Sequence, residues 1–213
     1  MSRLDPTLYL VTDTLLCAPR SVPEVVAEAV AGGVTAVQVR DKTASRRELL
    51  ALTRAVQAAL EPTPHVPLFV NDAVDVALIT GADGVHVGQD DLPADEVRAL
   101  LGPDALVGVS TGSDAELDAV LALPAGTVDL VGIGPVWSTP TKPDAGESLE
   151  PAGVRALATR ARAAGLLAVA IGGVHASNAA QVTGVDGICV VSDICTAPDP
   201  AEAARLLRKE IGR

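Results

Sequence analysis

The chain has 213 residues, 48% of them apolar and 20% charged, with a formal charge of −11, a balance that fits a folded core and argues against disorder. Tyr9, Phe69 and Trp137 are its only aromatics, so the core is aliphatic and base stacking on single strands has little to work with. The excess of acid repels nucleic acid and anionic membranes, and phosphate recognition must therefore be local.

The first ten residues show neither a secretory nor a transit pattern, which leads to the expectation of a cytoplasmic protein. A charge-free stretch from Ala163 to Val185 is long enough to cross a bilayer. Glycines and polar residues interrupt it, so it reads as buried strand, loop and helix. Cys17, Cys189 and Cys195 lack paired metal spacing and read as buried small hydrophobes.

In chain order, short β-branched runs predict strands over Leu8–Thr12, Ala36–Arg40, Leu68–Asn71, Gly84–Val87, Ala105–Ser110, Leu130–Gly134, Leu167–Ile171 and Gly187–Val191. Between and after them, helical periodicity predicts Pro23–Ala31, Arg46–Ala59, Ala73–Ile79, Ala94–Leu101, Ala115–Leu121, Pro151–Ala164, Ala176–Val182 and Ala201–Lys209. Ser45 with Glu48 has the form of a capping box. Glycines recur where helices hand over to strands, marking a repeated αβ turn. Eight such units, joined in a right-handed sense, predict a single-domain TIM (β/α)8 barrel spanning residues 1–213. The rival, an open doubly wound sheet, leaves two units unexplained.

In such a barrel the carboxyl ends of the strands carry the site, and here nearly every strand exits into polar residues. They are Gln38, Arg40 and Lys42; Asn71 and Asp72; His86, Gln89, Asp90 and Asp91; Ser110; Thr139, Thr141 and Lys142; Gly172 and Gly173; and Ser192. Arg40, Lys42 and Lys142 suit a highly charged anion, which Asp72 and the Asp90/Asp91 pair would repel unless a cation intervened. Carboxylates plus substrate phosphates are the usual Mg²⁺ arrangement, so the set suggests Mg²⁺ with a pyrophosphate. The competing reading makes Asp72 the cap of the third helix. Gly172, Gly173, Val191 and Ser192 stand where many barrels hold a phosphate on backbone N–H groups, a ligand-free tight turn being the alternative. Two roles are open to His86, a substrate contact or a hydrogen-bonded barrel histidine. No hydrolytic triad, metal-binding histidine pair or dinucleotide fingerprint is visible.

At these residues the chain resembles the thiamine phosphate synthase family. The motifs run from Leu8 to about Ile194 through Tyr9-Leu-Val-Thr12, Val37-Gln-Val-Arg-Asp-Lys42, Val70-Asn-Asp72, Gly84-Val-His-Val-Gly-Gln-Asp-Asp91, Gly108-Val-Ser110, the stretch Gly132 to Lys142, Ala170-Ile-Gly-Gly173 and Val190-Val-Ser192. The resemblance implies a TIM barrel that joins hydroxymethylpyrimidine diphosphate to hydroxyethylthiazole phosphate and releases pyrophosphate. It implies that Gln38, Arg40, Lys42, Asn71, Ser110 and Lys142 bind the pyrimidine diphosphate, with His86 alongside. Arg40, Lys42, Ser110 and Lys142 are the catalytic candidates, Asp72 and Asp91 the Mg²⁺ ligands. Thr139, Thr141, Gly173, Val191 and Ser192 are expected to hold the thiazole phosphate. Of the aspartate pair it selects Asp91, leaving Asp90 where glutamate is frequent. The family chemistry is described as dissociative, which explains why no general base stands out, and the loop Ser138 to Ser148 is a candidate lid. The partners expected are these small molecules, with no nucleic acid and no membrane.

One departure concerns Gly112, where many relatives carry histidine. A related thiazole tautomerase places its catalytic histidine in that segment, so the substitution favours the synthase. A noncatalytic barrel that senses a phosphate ligand is a further alternative, disfavoured by Lys42, Asp72, Asp91 and Lys142 occurring together.

Overall fold

The computed structural model describes residues 4–139 and 146–212. Its eight strands are β1 Leu8–Val11, β2 Ala36–Val39, β3 Leu68–Asn71, β4 Gly84–Val87, β5 Leu106–Thr111, β6 Leu130–Ile133, β7 Leu167–Ile171 and β8 Gly187–Val190. Each pairs in parallel with its sequence neighbours, and β1 also pairs with β8, closing a TIM barrel. The helices described are α1 Thr14–Cys17, α2 Val22–Ala31, α3 Arg46–Leu60, α4 Val74–Thr80, α5 Ala94–Leu101, α6 Asp114–Leu121, α7 Glu150–Ala163, α8 Ser192–Cys195 and α9 Pro200–Glu210.

Strand side chains alternate between two apolar clusters, which is why these strands read as almost continuous apolar runs. Tyr9, Val11, Phe69, Leu106, Leu130, Val169 and Cys189 fill the barrel interior. The intervening Leu8, Leu10, Val37, Val39, Val70, Val107 and Val131 pack outward with the helices. On α3 the buried residues are Leu49, Thr53, Val56 and Leu60, the spacing of one helical face. Each fully buried aliphatic there contributes ~1.5–3 kcal/mol. Ser21 with Glu24 and Ser45 with Glu48 close complete capping boxes at the starts of α2 and α3, so those helices begin at fixed points after their strands.

The amino-terminal end of the barrel is tied by a repeated device that strand patterning does not reveal. The residue before each even strand offers a side-chain oxygen to an N–H at the base of the preceding odd strand. Thr35 takes Leu8 at 3.0 Å, Asp83 takes Leu68 at 2.8 Å, Asp129 takes Val107 at 2.8 Å and Asp186 takes Ala168 at 2.9 Å. Asp129 is itself paired with Arg98 at 2.6 Å, and the same guanidinium donates to the carbonyls of Gly102, Ala105 and Thr127.

The seventh unit departs from expectation. In place of a helix over Ala176–Val182 there is a single 3₁₀ turn, Ala179–Gln181. Side chains capture the backbone groups a helix would need: Asn178 accepts from His175 N and donates to Gly173 O, and Asp193 accepts from Ala176 N. The four-residue helices α1 and α8 are too short for periodicity to signal. The three cysteines are buried. No helix among the described residues is long and apolar enough to cross a membrane.

Candidate active site

The inward phase of the strands is apolar below and polar above, and the change of chemistry marks the site. Above the Tyr9 and Phe69 rings, whose centroids lie 5.3 Å apart, the next inward positions are Gln38, Asn71, His86 and Ser110. Gln38 Nε2 donates to Tyr9 Oη at 3.0 Å. Burial pushes the Tyr9 phenol up, Cys189 acts in the same sense, and the Gln38 hydrogen bond only partly offsets them, so the phenol stays protonated. Thr12, fully buried, accepts from Arg40 N at 3.1 Å, while its own hydroxyl lies 3.4 Å from Arg40 O. Both polar residues of the first motif therefore serve the second strand.

His86 lies across β5 and β6 because glycines face it. A Cβ on Gly108 would stand 2.4 Å from its Nδ1, and one on Gly132 would stand 3.2 Å from its Cε1. Its Nε2 reaches Ser110 Oγ at 3.1 Å. This histidine is both hydrogen-bonded within the barrel and part of the cavity wall.

Asp72 does not cap a helix. The N-cap of α4 is Ala73, without a side-chain cap, and Asp72 sits at φ 57°, the left-handed region that aspartate tolerates better than most residues. Its Oδ2 accepts from Lys42 Nζ at 2.6 Å and from Asn71 Nδ2. Asp91 Oδ2 accepts from Gly88 N at 2.8 Å, and Asp91 stands near enough to Asp72 to influence its ionisation. Burial raises the Asp72 pKa, Lys42 opposes this and Asp91 adds to it. Two neighbouring carboxylates, Asp72 half-buried and paired with Lys42 and Asp91 exposed, are a donor set suited to a hard divalent cation. Among the described residues no third acidic, histidine or cysteine ligand joins them. Mg²⁺ commonly takes one or two carboxylates and completes its shell with water and substrate phosphate, so the pair fits it.

The mouth has two lobes. A smaller one, about 110 Å³, is lined by Gln38, Arg40, Lys42, Asn71, Asp72, His86 and Asp91 together with Tyr9. A larger one, about 470 Å³, is lined by Thr139, Gly172, Gly173 and Ser192 together with Gln89, Asp90 and Glu116. Ser110, Gly132, Ile171, Cys189 and Val191 line both. Gly172 and Gly173 have φ of 98° and 68°, and a Cβ on either would collide with Pro135 or Trp137. Thr141, Lys142 and most of the expected lid lie outside the described residues.

Residues 8–194 match the family described as thiamine monophosphate synthase. The chain belongs to that family. Among relatives named thiamine-phosphate synthase, the protein of Azorhizobium caulinodans is 49% identical over 206 residues, covering 96% of this chain and 94% of its own. That of Albidiferax ferrireducens is 44% identical over 207 residues, covering 96% and 91%. A solved structure, the thiamine phosphate pyrophosphorylase of Pyrococcus furiosus, superimposes with a TM-score of 0.85 at 33% identity, covering 99% of this chain and 97% of that one.

The lobes bring together every described residue that the synthase resemblance assigns to a ligand. Ser110, expected on the pyrimidine side, stands where the lobes meet. Sequence reasoning missed Tyr9 and Cys189 as wall residues; Gln89, expected among the polar strand exits, donates through Nε2 to Ser110 O at 2.6 Å and so fastens the β4 loop to β5. The available signal was inward phase, since Tyr9 and Cys189 pair in register across β1 and β8. At the synthase family's histidine position, a Cβ on Gly112 would lie 2.9 Å from Gly134 O, and Gly112 N donates to Glu116.

Proposed function

We propose that this chain joins hydroxymethylpyrimidine diphosphate to hydroxyethylthiazole phosphate, as a cytoplasmic transferase of thiamine biosynthesis working as one barrel domain. The observation that carries the reading is the two-lobed mouth: a cation and carboxylate cluster fills one lobe, glycine-walled backbone and Ser192 the other, and they share a wall at Ser110.

In this reading the smaller lobe takes the pyrimidine diphosphate. Gln38 and Asn71 meet the pyrimidine, with Tyr9 holding the Gln38 amide in one orientation. Asp72 and Asp91 hold Mg²⁺, which when bound neutralises charge on the diphosphate and favours its departure. Lys42 neutralises Asp72 in the free chain and turns to the diphosphate when it arrives, joining Arg40, whose guanidinium stands 3.6 Å from Asp13. Lys142 completes the cationic set around the leaving group. The larger lobe takes the thiazole phosphate on Thr139, Thr141, Gly173, Val191 and Ser192. It presents the thiazole nitrogen to the carbon beside Ser110.

The carbon–oxygen bond to pyrophosphate breaks and its electron pair leaves with the pyrophosphate. The thiazole nitrogen lone pair then forms the carbon–nitrogen bond. No proton is abstracted, so electrostatic stabilisation and alignment carry the catalysis.

The test is product formation by the purified chain with both substrates and Mg²⁺. Thiamine phosphate and pyrophosphate should appear in equal amounts, and neither should appear when one substrate is omitted. Binding of the phosphates without product would favour the sensing barrel, and isomerisation of a thiazole tautomer without condensation would favour the tautomerase.

A further inference from the structure

We propose that Asp41 is the positioning residue for Lys42, and that it acts as a hydrogen-bond acceptor rather than as a charge. The proposal rests on the reading that Lys42 serves the leaving diphosphate. Asp41 lies beyond the end of β2, immediately before Lys42. Its Oδ1 accepts from Thr43 N at 2.9 Å, Thr43 Oγ1 at 2.8 Å and Ala44 N at 3.0 Å. Thr14, at the start of α1, works on the Asp41 carboxylate in the same sense. Burial works to raise the Asp41 pKa, but Thr14 and the donors of Thr43 and Ala44 outweigh it and hold the carboxyl below its usual range.

The main chain on both sides of Lys42 is thereby fixed. Upstream, the Arg40 backbone is held by Thr12; downstream, Thr43 and Ala44 are folded onto Asp41, just before Ser45 caps α3. The Lys42 side chain is 55% exposed, so little packing steers it, and the position of its Cα decides where the ammonium can reach. Its ion pair goes to Asp72, not to Asp41. A negative charge beside a diphosphate lobe opposes substrate binding, so the charge of Asp41 is no asset there. What the turn requires is one oxygen that accepts several donors at once. Asparagine offers that oxygen and alanine does not.

The experiment compares Asp41→Ala, Asp41→Asn, Lys42→Ala and the double variant Asp41→Ala/Lys42→Ala in steady-state kinetics with both substrates, alongside thermal melts. Asp41→Ala should lower kcat/KM for the pyrimidine diphosphate by roughly 30- to 100-fold, the scale of an ångström-sized misplacement, and leave KM for the thiazole phosphate within about twofold. Asp41→Asn should rescue activity to within about threefold of the parent, and the double variant should be no worse than Lys42→Ala alone. Should Asp41→Ala fail to fold, Asp41→Ser, whose shorter hydroxyl cannot gather the same donors, is read in its place. A defect in Asp41→Asn equal to that of Asp41→Ala overturns the acceptor role, and additive losses in the double variant overturn action through Lys42. Full activity in Lys42→Ala would instead overturn the reading of Lys42 itself, and the proposal with it.

Discussion

Gly108→Ala isolates the role of the His86 imidazole. Gly108 does not occupy the left-handed region, so alanine adds no backbone strain and its effect is steric. The new methyl would stand 2.4 Å from His86 Nδ1, against an ordinary contact of ~3.5 Å, and the ring must retreat by about 1 Å. That movement breaks the 3.1 Å contact from Nε2 to Ser110 Oγ, at a cost of ~1 kcal/mol, and overpacking adds ~1–3 kcal/mol. The melting temperature should fall by about 4–16 °C, and kcat/KM for the pyrimidine diphosphate by ~10²-fold, because Ser110 sits where the lobes meet. Gly132→Ala, with its nearest atom of His86 at 3.2 Å, needs a shift of only a few tenths of an ångström and should cost less than about tenfold. Adding His86→Ala to Gly108→Ala should recover stability, since the clash is then gone. Calorimetric melts and steady-state kinetics on the single and double variants give the answer. If Gly108→Ala matches the parent in both, the imidazole is not held where the strands put it and the argument fails.

Asp72→Ala and Asp91→Ala should each lower Mg²⁺-dependent kcat/KM by about 10²-fold or more while the barrel stays folded, and Mn²⁺ affinity in the presence of pyrophosphate, read by titration calorimetry, should fall in parallel. Undiminished Mn²⁺ affinity in both variants would remove them as ligands. Ser192→Asp puts a negative charge at an exposed position of the larger lobe and should raise KM for the thiazole phosphate by at least about tenfold, with little change for the pyrimidine diphosphate; the reverse pattern would mean the lobes are assigned the wrong way round. Asp129→Ala removes the acceptor of Val107 N and the Arg98 partner at the far end of the barrel, so denaturation should show a loss of about 2–3 kcal/mol with kcat unchanged. A fall in kcat without a fall in stability would contradict that division of labour.

The strands were legible because both faces of each are buried. Runs such as Leu68–Asn71 and Gly84–Val87 carry no competing pattern, and their bounds match those expected. The polar exits were legible for a topological reason: every parallel strand ends at the same mouth, so Gln38, Asn71, His86 and Ser110 could be grouped without knowing any distance. The seventh helix was not legible, because Ala176–Val182 has helical composition while the Asn178 side chain turns to His175 N and Gly173 O and Asp193, distant in sequence, takes Ala176 N. Asp72 illustrates the same limit within the site. Before an alanine-rich segment it has the sequence of a cap, and only its positive φ, its contact with Lys42 and its nearness to Asp91 reveal a different use. The glycines facing His86 belong here too, since Gly108 and Gly132 fall inside the expected strands and only the register sets Gly108 beside the imidazole.

The most direct measurement is a crystal structure with a nonreacting pyrimidine diphosphate analogue, Mn²⁺ in place of Mg²⁺, and thiazole phosphate. The anomalous signal of the metal should lie within coordination distance, ~2.0–2.3 Å, of carboxylate oxygens of both Asp72 and Asp91 and of the diphosphate. The lone phosphate should lie against Gly173 and Ser192, with the thiazole nitrogen facing the pyrimidine methylene carbon near Ser110. A metal peak away from both aspartates, or a diphosphate seated on Gly173 and Ser192, would contradict the account.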